Sequence, residues 1–85
     1  MDSLLEFPCE IDVKVMGRAE EGFTELVVEL VRRHVPDVRA DAVRSRPSSA
    51  GNYLAVTVSV RAESRDQMDA LYRDLTAHEK IAVAL

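Results

Sequence analysis

The chain has 85 residues, with 47% hydrophobic residues and a net charge of −4. A chain of this length buries about 60% of its unfolded surface, which suffices for one small core, and the only cysteine, Cys9, excludes an internal disulfide and CxxC-type sites. The acidic balance argues against nucleic acid and no apolar run approaches the roughly 20 residues of a membrane span, so we expect one cytoplasmic domain over residues 1–85.

The first elements in chain order are an arm and a strand. Apolar side chains at residues 4–7 precede Pro8, which disfavours helix before it, so residues 1–9 are predicted as an N-terminal arm that covers an edge of the core. Over residues 11–16, Ile and Val alternate with Asp, Lys and Met. This period of two predicts a strand, which we expect Gly17 to end.

Residues 20–34 predict a helix, because apolar side chains recur from Phe23 at the spacing of one helical stripe. Pro36 then ends it. In residues 39–46 the alternation of charges slips by one position, which we interpret as a β-bulge in an edge strand. The turn composition of Pro47–Gly51 joins this strand to the next as a hairpin.

The clearest strand is in residues 51–62, where Leu and Val at even positions alternate with small and polar side chains. Ser64 and Gln67 then form a capping box, S-x-x-Q, at the start of a second helix that runs to about Ala77. In residues 81–85, Ile, Val and Leu alternate with alanine, which predicts a last strand with its larger side chains facing the core.

The order of elements predicts an α+β fold, a ferredoxin-like βαββαβ sandwich. In this fold a four-stranded antiparallel sheet carries both helices on one face. Right-handed crossovers place the first and third strands at the centre and the second and fourth at the edges. The charged second strand is therefore predicted to lie at an edge.

Four stretches together resemble the YbeD-like family of small bacterial proteins, in the family's order and spacing: LLEFP at Leu4–Pro8, KVMG at Lys14–Gly17, RRH at Arg32–His34 and PSSAGNY at Pro47–Tyr53. One departure is Ala50, where the family's pattern has lysine. The resemblance implies a fold similar to the ACT regulatory domains, which bind small effectors, commonly amino acids, at subunit interfaces. A homodimer is thus one expected assembly. The resemblance implies no catalytic residue, and it carries an association with lipoate metabolism.

Several other classes fit the residues poorly. An RNA-recognition module needs aromatic platforms on its central strands, and the outward positions here offer one tyrosine. An acylphosphatase-type enzyme would use Arg18 and Asn52, but its glycine-rich phosphate cradle is missing and Asn52 suits a turn. His34 is interpreted as a helix C-cap and Cys9 as a small buried filler. We therefore expect no enzyme, no metal and no cofactor.

Two surfaces remain as candidates for function. One is a loop pair, in which the turn after the first strand meets the start of the third, formed by Met16, Gly17, Arg18, Ser48, Ser49, Asn52 and Tyr53. The other is the uncovered sheet face, expected to hold Lys14, Met16, Ala55, Thr57, Ser59, Ala82 and Ala84. Ordinary turns and a merely solvated face are the structural alternatives.

These observations predict a non-catalytic ACT-like regulatory domain that binds a small effector, a protein partner or both. The alternative is a constitutive protein-protein interaction adaptor without a ligand, linked through the family to lipoate metabolism. Neither hypothesis names the effector or the partner.

Overall fold

The computed structural model describes residues 6–85, so Leu4 and Leu5 of the predicted arm lie outside the described residues. Phe7 packs against the edge of the core, and the first strand begins at Cys9, the last residue of the predicted arm. The elements in chain order are β1 at Cys9–Arg18, α1 at Phe23–Arg32, a 3-10 helix at Ala40–Ala42, β2 at Val43–Pro47, β3 at Tyr53–Ala62, α2 at Arg65–Ala77 and β4 at Ile81–Ala84.

The four strands form one antiparallel sheet in the order β2-β3-β1-β4, with both helices packed on one face. The predicted ferredoxin-like fold is therefore confirmed. The central strands β1 and β3 pair without a slip from Cys9 opposite Ala62 to Arg18 opposite Tyr53. Within the described part of the chain, neither helix has both the length and the apolar composition of a membrane span.

Valines of the two central strands form the middle of the core. Val13, Val15, Val56, Val58 and Val60 are at most 1% exposed. Burying each of them contributes on the order of 1.5–3 kcal/mol relative to exposure to water. The helices cover these valines with Phe23, Val27, Leu30, Val31, Met68, Leu71 and Leu75. The predicted phase of β3 is confirmed, and half-buried Cys9 packs against the core as expected.

The side chains that point away from the helices make up the open face of the sheet. The strand register assigns positions of all four strands to it. The open face consists of these side chains: Glu10, Asp12, Lys14, Met16, Arg18, Arg44, Arg46, Tyr53, Ala55, Thr57, Ser59, Arg61, Val83 and Leu85.

The predicted orientation of the last strand is wrong beyond its first residue. Ala84 lies opposite Val15 and packs against the core, whereas Val83 lies opposite Met16 on the open face. The register of β1 with β4 shifts between Met16 and Gly17, so Ala82 is an extra residue in a β-bulge. Such a one-residue insertion moves every later side chain to the other face of the sheet.

Leu85 continues the pairing of β4 and shares its orientation with Lys14. Its N–H donates to the Lys14 carbonyl over 2.7 Å, and its carbonyl accepts from the Lys14 N–H over 3.1 Å. The Tyr72 hydroxyl of α2 donates to the same Leu85 carbonyl over 2.7 Å. Burial raises the pKa of the Tyr72 phenol above its ordinary value of 10.0, which keeps this donor protonated.

The predicted β-bulge in residues 39–46 is also wrong. The alternation slips there because the 3-10 helix at Ala40–Ala42 precedes the strand. Strand β2 itself pairs with β3 in an unbroken register, from Val43 opposite Val58 to Pro47 opposite Leu54. Its position at the edge of the sheet is confirmed.

Helix α1 is shorter at both ends than the predicted span 20–34. Gly22 has a φ of +87°, a left-handed conformation that cannot continue a right-handed helix, so α1 begins at Phe23. It ends at Arg32, before Pro36 is reached. The Arg32 guanidinium then donates to the Val38 carbonyl over 3.0 Å and holds the chain that follows.

The N-terminus of α2 is capped, and one of the capping side chains also bonds the chain just after α1. The Ser64 hydroxyl accepts a hydrogen bond from the Gln67 N–H over 3.1 Å, as predicted. The Gln67 side-chain oxygen accepts from the Glu63 N–H instead of from the Ser64 N–H, over 2.7 Å. Its side-chain amide donates to the His34 carbonyl over 2.9 Å.

His34 joins the two helices instead of capping a carbonyl of α1. Its Nε2 lies 2.7 Å from Asp74 Oδ2. The hydrogen bond from His34, aided by its charge and those of Arg33 and Arg73, lowers the pKa of Asp74 below its ordinary value of 3.8, against a smaller opposing effect of burial.

Gly17 is predicted to end β1, but it lies one residue inside the strand. A Cβ at this position would come within 2.5 Å of the Phe23 ring carbon Cε1 and would collide with the Lys80 carbonyl oxygen. Glycine is therefore required where α1 and the residue before β4 both close against the sheet.

We expect Gly17→Ala to lower the free energy of unfolding by about 1–3 kcal/mol, because the added methyl overpacks this contact. Urea denaturation measures the effect. Gly51→Asn is the control, since Gly51 has a φ of +80° with open space around it and asparagine tolerates that conformation. Equal losses in the two variants would contradict the packing explanation.

We expect Asp74→Asn to lower the melting temperature at pH 5, where the Asp74 carboxylate is ionised. The pKa of Asp74 is lowered by folding, so its stabilisation is present above 3.8 and is lost as the pH falls through the lowered folded-state pKa. The difference from wild type should therefore close below pH 3.8. Asp69→Asn on the same helix is the control, and a pH-independent difference for Asp74→Asn would refute the assignment.

Candidate functional site

Three connections of the chain meet at one end of the sheet. Both β3 and β4 run antiparallel to β1, so each of them starts where β1 ends. The Ala19 N–H donates to the Asn52 carbonyl over 3.0 Å, which ties the β1–α1 connection to the β2–β3 hairpin. The topology thus brings together residues that are far apart in the sequence.

A pocket of about 410 Å³ opens at this end of the sheet, and we call it the end pocket. Its volume falls within the range of small-molecule sites, roughly 300–1,000 Å³. Its lining combines two cationic groups, two carboxylates, two aromatic rings and a methyl group: Arg18, Lys80, Glu20, Glu79, Phe23, Tyr53 and Ala82.

The charged groups of the end pocket are accessible to a ligand. Lys80 Nζ lies 3.0 Å from Glu20 Oε1, and both side chains are about half exposed, 53% and 48%. An ion pair this exposed contributes only about 0–1 kcal/mol, so a ligand can replace it at little cost. Among residues 6–85, the side chains of Arg18 and Glu79 have no hydrogen-bond or ion-pair partner.

A second hollow of about 200 Å³ adjoins the end pocket. The two share Glu20, Phe23 and Lys80, so the Glu20–Lys80 ion pair lies on their common boundary. His78 lines the second hollow, and its Nδ1 accepts a hydrogen bond from the Lys80 N–H over 3.1 Å. This bond holds the backbone that presents Lys80.

The structure brings some of the predicted loop-pair residues together. Arg18 and Tyr53 lie opposite each other in the register and both line the end pocket, while Gly17 lies behind it against Phe23. Met16 does not line the end pocket, because it lies two residues farther from the end of the sheet, opposite Ala55. The prediction that the end of the first strand meets the start of the third is correct. Of the seven predicted residues, however, only Arg18 and Tyr53 contribute side chains to the end pocket.

The other three predicted residues belong to the hairpin. The Ser48 hydroxyl accepts from the Tyr53 N–H over 3.2 Å, and the Ser48 N–H donates to the Tyr53 carbonyl over 2.8 Å. Asn52 contributes its backbone carbonyl, and Ser49 is exposed in the turn. Ser48 thus positions Tyr53, and none of the three residues lines the pocket.

Sequence reasoning missed Glu20, Glu79 and Lys80, placed Phe23 only in the core and assigned Ala82 to the uncovered sheet face. The signal that identifies them is topological. In the predicted strand order, the connections after β1 and before β4 lie at the same end of the sheet, so Lys80 must lie near Arg18. No local motif marks the Glu20–Lys80 pair, whose members are 60 residues apart.

A groove beside α1 and a metal site are less well supported than the end pocket. A larger groove of about 620 Å³ lies between α1 and the edge of β2. Of its charged groups, Arg33 pairs with Glu29 over 3.3 Å and Arg32 bonds the Val38 carbonyl, so fewer of them are available than in the end pocket. In the described range 6–85, no three His, Cys, Asp or Glu side chains converge as a metal ion requires.

The sequence matches one family over almost its whole length. The family described as "Protein of unknown function (DUF493)" matches residues 2–85. A UPF0250 protein of Ralstonia nicotianae is 49% identical over 84 residues, covering 99% of this chain and 87% of the relative. A UPF0250 protein of Neisseria gonorrhoeae is 48% identical over 83 residues, covering 98% of this chain and 91% of the relative.

A solved structure shares the fold. The solution structure of a protein from H. pylori aligns with a TM-score of 0.73, covering 99% of this chain and 88% of that one. The sequence identity between them is 14%, so this likeness concerns the fold alone.

Proposed function

This chain belongs to the DUF493 family, which confirms its resemblance to the YbeD-like proteins, and from that premise we propose that it is a non-catalytic, ACT-like regulatory domain of the cytoplasm. Its ligand in this proposal is a small zwitterionic or anionic effector bound in the end pocket. The observation that carries the proposal is the accessible Arg18 guanidinium beside Tyr53 and Lys80 in a pocket of about 410 Å³.

The end pocket fits a small carboxylate with an apolar body. A guanidinium presents paired donors that match the two oxygens of a carboxylate, and Arg18 lies ready for such a contact. Lys80 supplies a second cation once it separates from Glu20. The rings of Phe23 and Tyr53 offer apolar surface to the rest of the ligand.

A carboxylate in the pocket favours an effector that also carries an ammonium group. Glu79 has no partner among the described residues, so it is available to such a group. An amino acid combines both charges in one small molecule, in keeping with the effectors that the resemblance to ACT domains implies. The family's association with lipoate makes short-chain fatty acids such as lipoate the second class to test.

The residues of the end pocket support binding over a chemical step. Its Glu, Lys and Tyr side chains can transfer protons, but none of the seven described side chains that line it is Ser or Cys, the common hydroxyl and thiol nucleophiles, or His, the most frequent proton carrier. The Arg18 and Asn52 pair that an acylphosphatase-type enzyme would use does not meet in the end pocket, because Asn52 is not among its lining residues.

The second candidate function is a constitutive protein-protein adaptor without a ligand. One observation favours it: Val83 and Leu85 are 42% and 68% exposed on the open face, where the sequence predicts buried positions. Val83 and Leu85 do not line the end pocket.

A thermal-shift screen against the amino acids, nucleotides and lipoate-related acids tests the effector proposal. A ligand that binds only the native state, at 100 times its Kd, adds about 2.7 kcal/mol, which raises the melting temperature of a domain this small by roughly 10–20 °C. We expect Arg18→Gln and Lys80→Gln each to weaken ligand affinity at least ten-fold and so to reduce the shift in melting temperature. The melting temperature of the unliganded variants should stay close to that of wild type.

Arg39→Gln is the matched control, because Arg39 is an exposed arginine at the opposite end of the sheet, beside Glu10 and Arg61. It should bind the effector as wild type does. The effector proposal would be refuted if no compound in the screen gave a melting-temperature shift that depends on Arg18. The adaptor role would then remain.

A further inference from the structure

We propose that the open face docks an acidic amphipathic helix of a partner protein. This inference goes beyond the effector proposal and does not rest on it, since the residues that it uses do not line the end pocket; Arg18 and Tyr53, at the end of the sheet, belong to both surfaces. The open face has two edges of different chemistry. The apolar half is Val83 and Leu85 of β4 with Met16 beside them on β1, and the cationic half is Arg44 and Arg46 of β2. One helix fits between these two edges.

The apolar half lies on the β4 side of the sheet. Among residues 6–85, the large hydrophobic side chains that are exposed are Tyr53, Val83 and Leu85, and all three lie on the open face. Val83 sits opposite Met16, so the two form one row with Ala55 of β3. Because the β4 bulge turns Val83 and Leu85 outward, β4 presents aliphatic side chains on this face where the sequence predicts only alanine.

The open face as a whole has a net charge opposite in sign to that of the chain. Five of the 11 Lys and Arg residues lie on the open face, but only two of the 15 Asp and Glu residues do, in a chain of net charge −4. Asp12 is already engaged, at 2.7 Å from the Ser59 hydroxyl and 3.4 Å from Arg44 Nη2. With the described residues, Lys14 and Arg46 form no ion pair.

The distance between the two edges fits a helix lying over the central strands β1 and β3. Strands in a sheet are about 4.8 Å apart, so the arginines on β2 stand about 14 Å from Val83 and Leu85 on β4. An α-helix with its side chains is about 10–12 Å across. A helix over β1 and β3 thus places one flank beside the arginines and the other beside Val83 and Leu85. Acidic residues on the first flank and aliphatic residues on the second complement this face.

Two other occupants fit the face less well. A nucleic acid needs stacking platforms, and the face carries one aromatic ring, at its end, together with the carboxylates of Glu10 and Asp12. A second copy would have to present its acidic α1 surface, for example Glu25 and Glu29, to this face. Such a contact joins two different surfaces and does not close into a dimer, so it would build open chains of molecules.

The probe is a fluorescent 18-residue helical peptide with leucine along one stripe and glutamate along its flank, compared with the same peptide carrying lysine for glutamate. Fluorescence anisotropy at low salt measures both affinities. We expect the glutamate peptide to bind at least ten-fold more tightly. Amide chemical shifts of the full chain should change along β1, β2 and β3 upon binding.

Two variants locate the contact. The double reversal Arg44→Glu with Arg46→Glu should weaken binding of the glutamate peptide at least ten-fold, and Leu85→Ser should weaken it several-fold. The matched control is Arg65→Glu with Arg73→Glu, which makes the same change of charge on α2 in the other layer. Lys80→Gln should bind the peptide as wild type does, which separates this test from that of the end pocket.

Several results would overturn the inference. They are no binding of the glutamate peptide at 1 mM, equal affinity for the lysine peptide, or equal effects of the two double reversals. Tighter binding of a 15-nucleotide RNA with a steep salt dependence would assign the face to nucleic acid instead. Concentration-dependent chain growth of the protein alone, abolished by Leu85→Ser, would assign it to a second copy.

Discussion

The unbroken pairing of β1 with β3 is the interaction on which the rest of the structure depends. Their register places the valines of both strands on the same side, where the helices cover them. A slip of one residue would turn these side chains to water and bring the polar row inward. The same register sets Arg18 opposite Tyr53. The core and one wall of the end pocket therefore follow from one alignment of two strands.

The sequence predicts most of this arrangement because its signals are local. Alternation along β1 and β3 reports burial residue by residue, and Ser64 with Gln67 reports the start of α2. The two errors of phase have different origins. In residues 39–46 the break in alternation is visible, but it fits a bulge and a 3-10 helix equally well until the register with β3 is known. In residues 81–85 the alternation is complete, and the bulge is hidden because alanine suits both faces.

The end pocket was predictable only in part, for a related reason. Topology alone brings Arg18 to Tyr53, because antiparallel neighbours must start and end together. The Glu20–Lys80 pair depends on how closely two connections approach, and that is set by the contact of Gly17 with Phe23 and the Lys80 carbonyl. The only sign of such a close approach in the sequence is a glycine, and a glycine is equally consistent with the end of a strand.

The short strand β4 gives the two candidate surfaces a common mechanical element. It has four residues and is flanked by Lys80 and Leu85. Lys80 and Ala82 line the end pocket, whereas Val83 and Leu85 lie on the open face. Its far end is held by its pairing with β1, by the Tyr72 hydroxyl and by the contact of Ala84 with the core. Short edge strands of this kind open locally at a lower free energy than the central sheet. A ligand that orders β4 from one side lowers the entropic cost of binding on the other, and thermodynamic linkage makes that gain reciprocal.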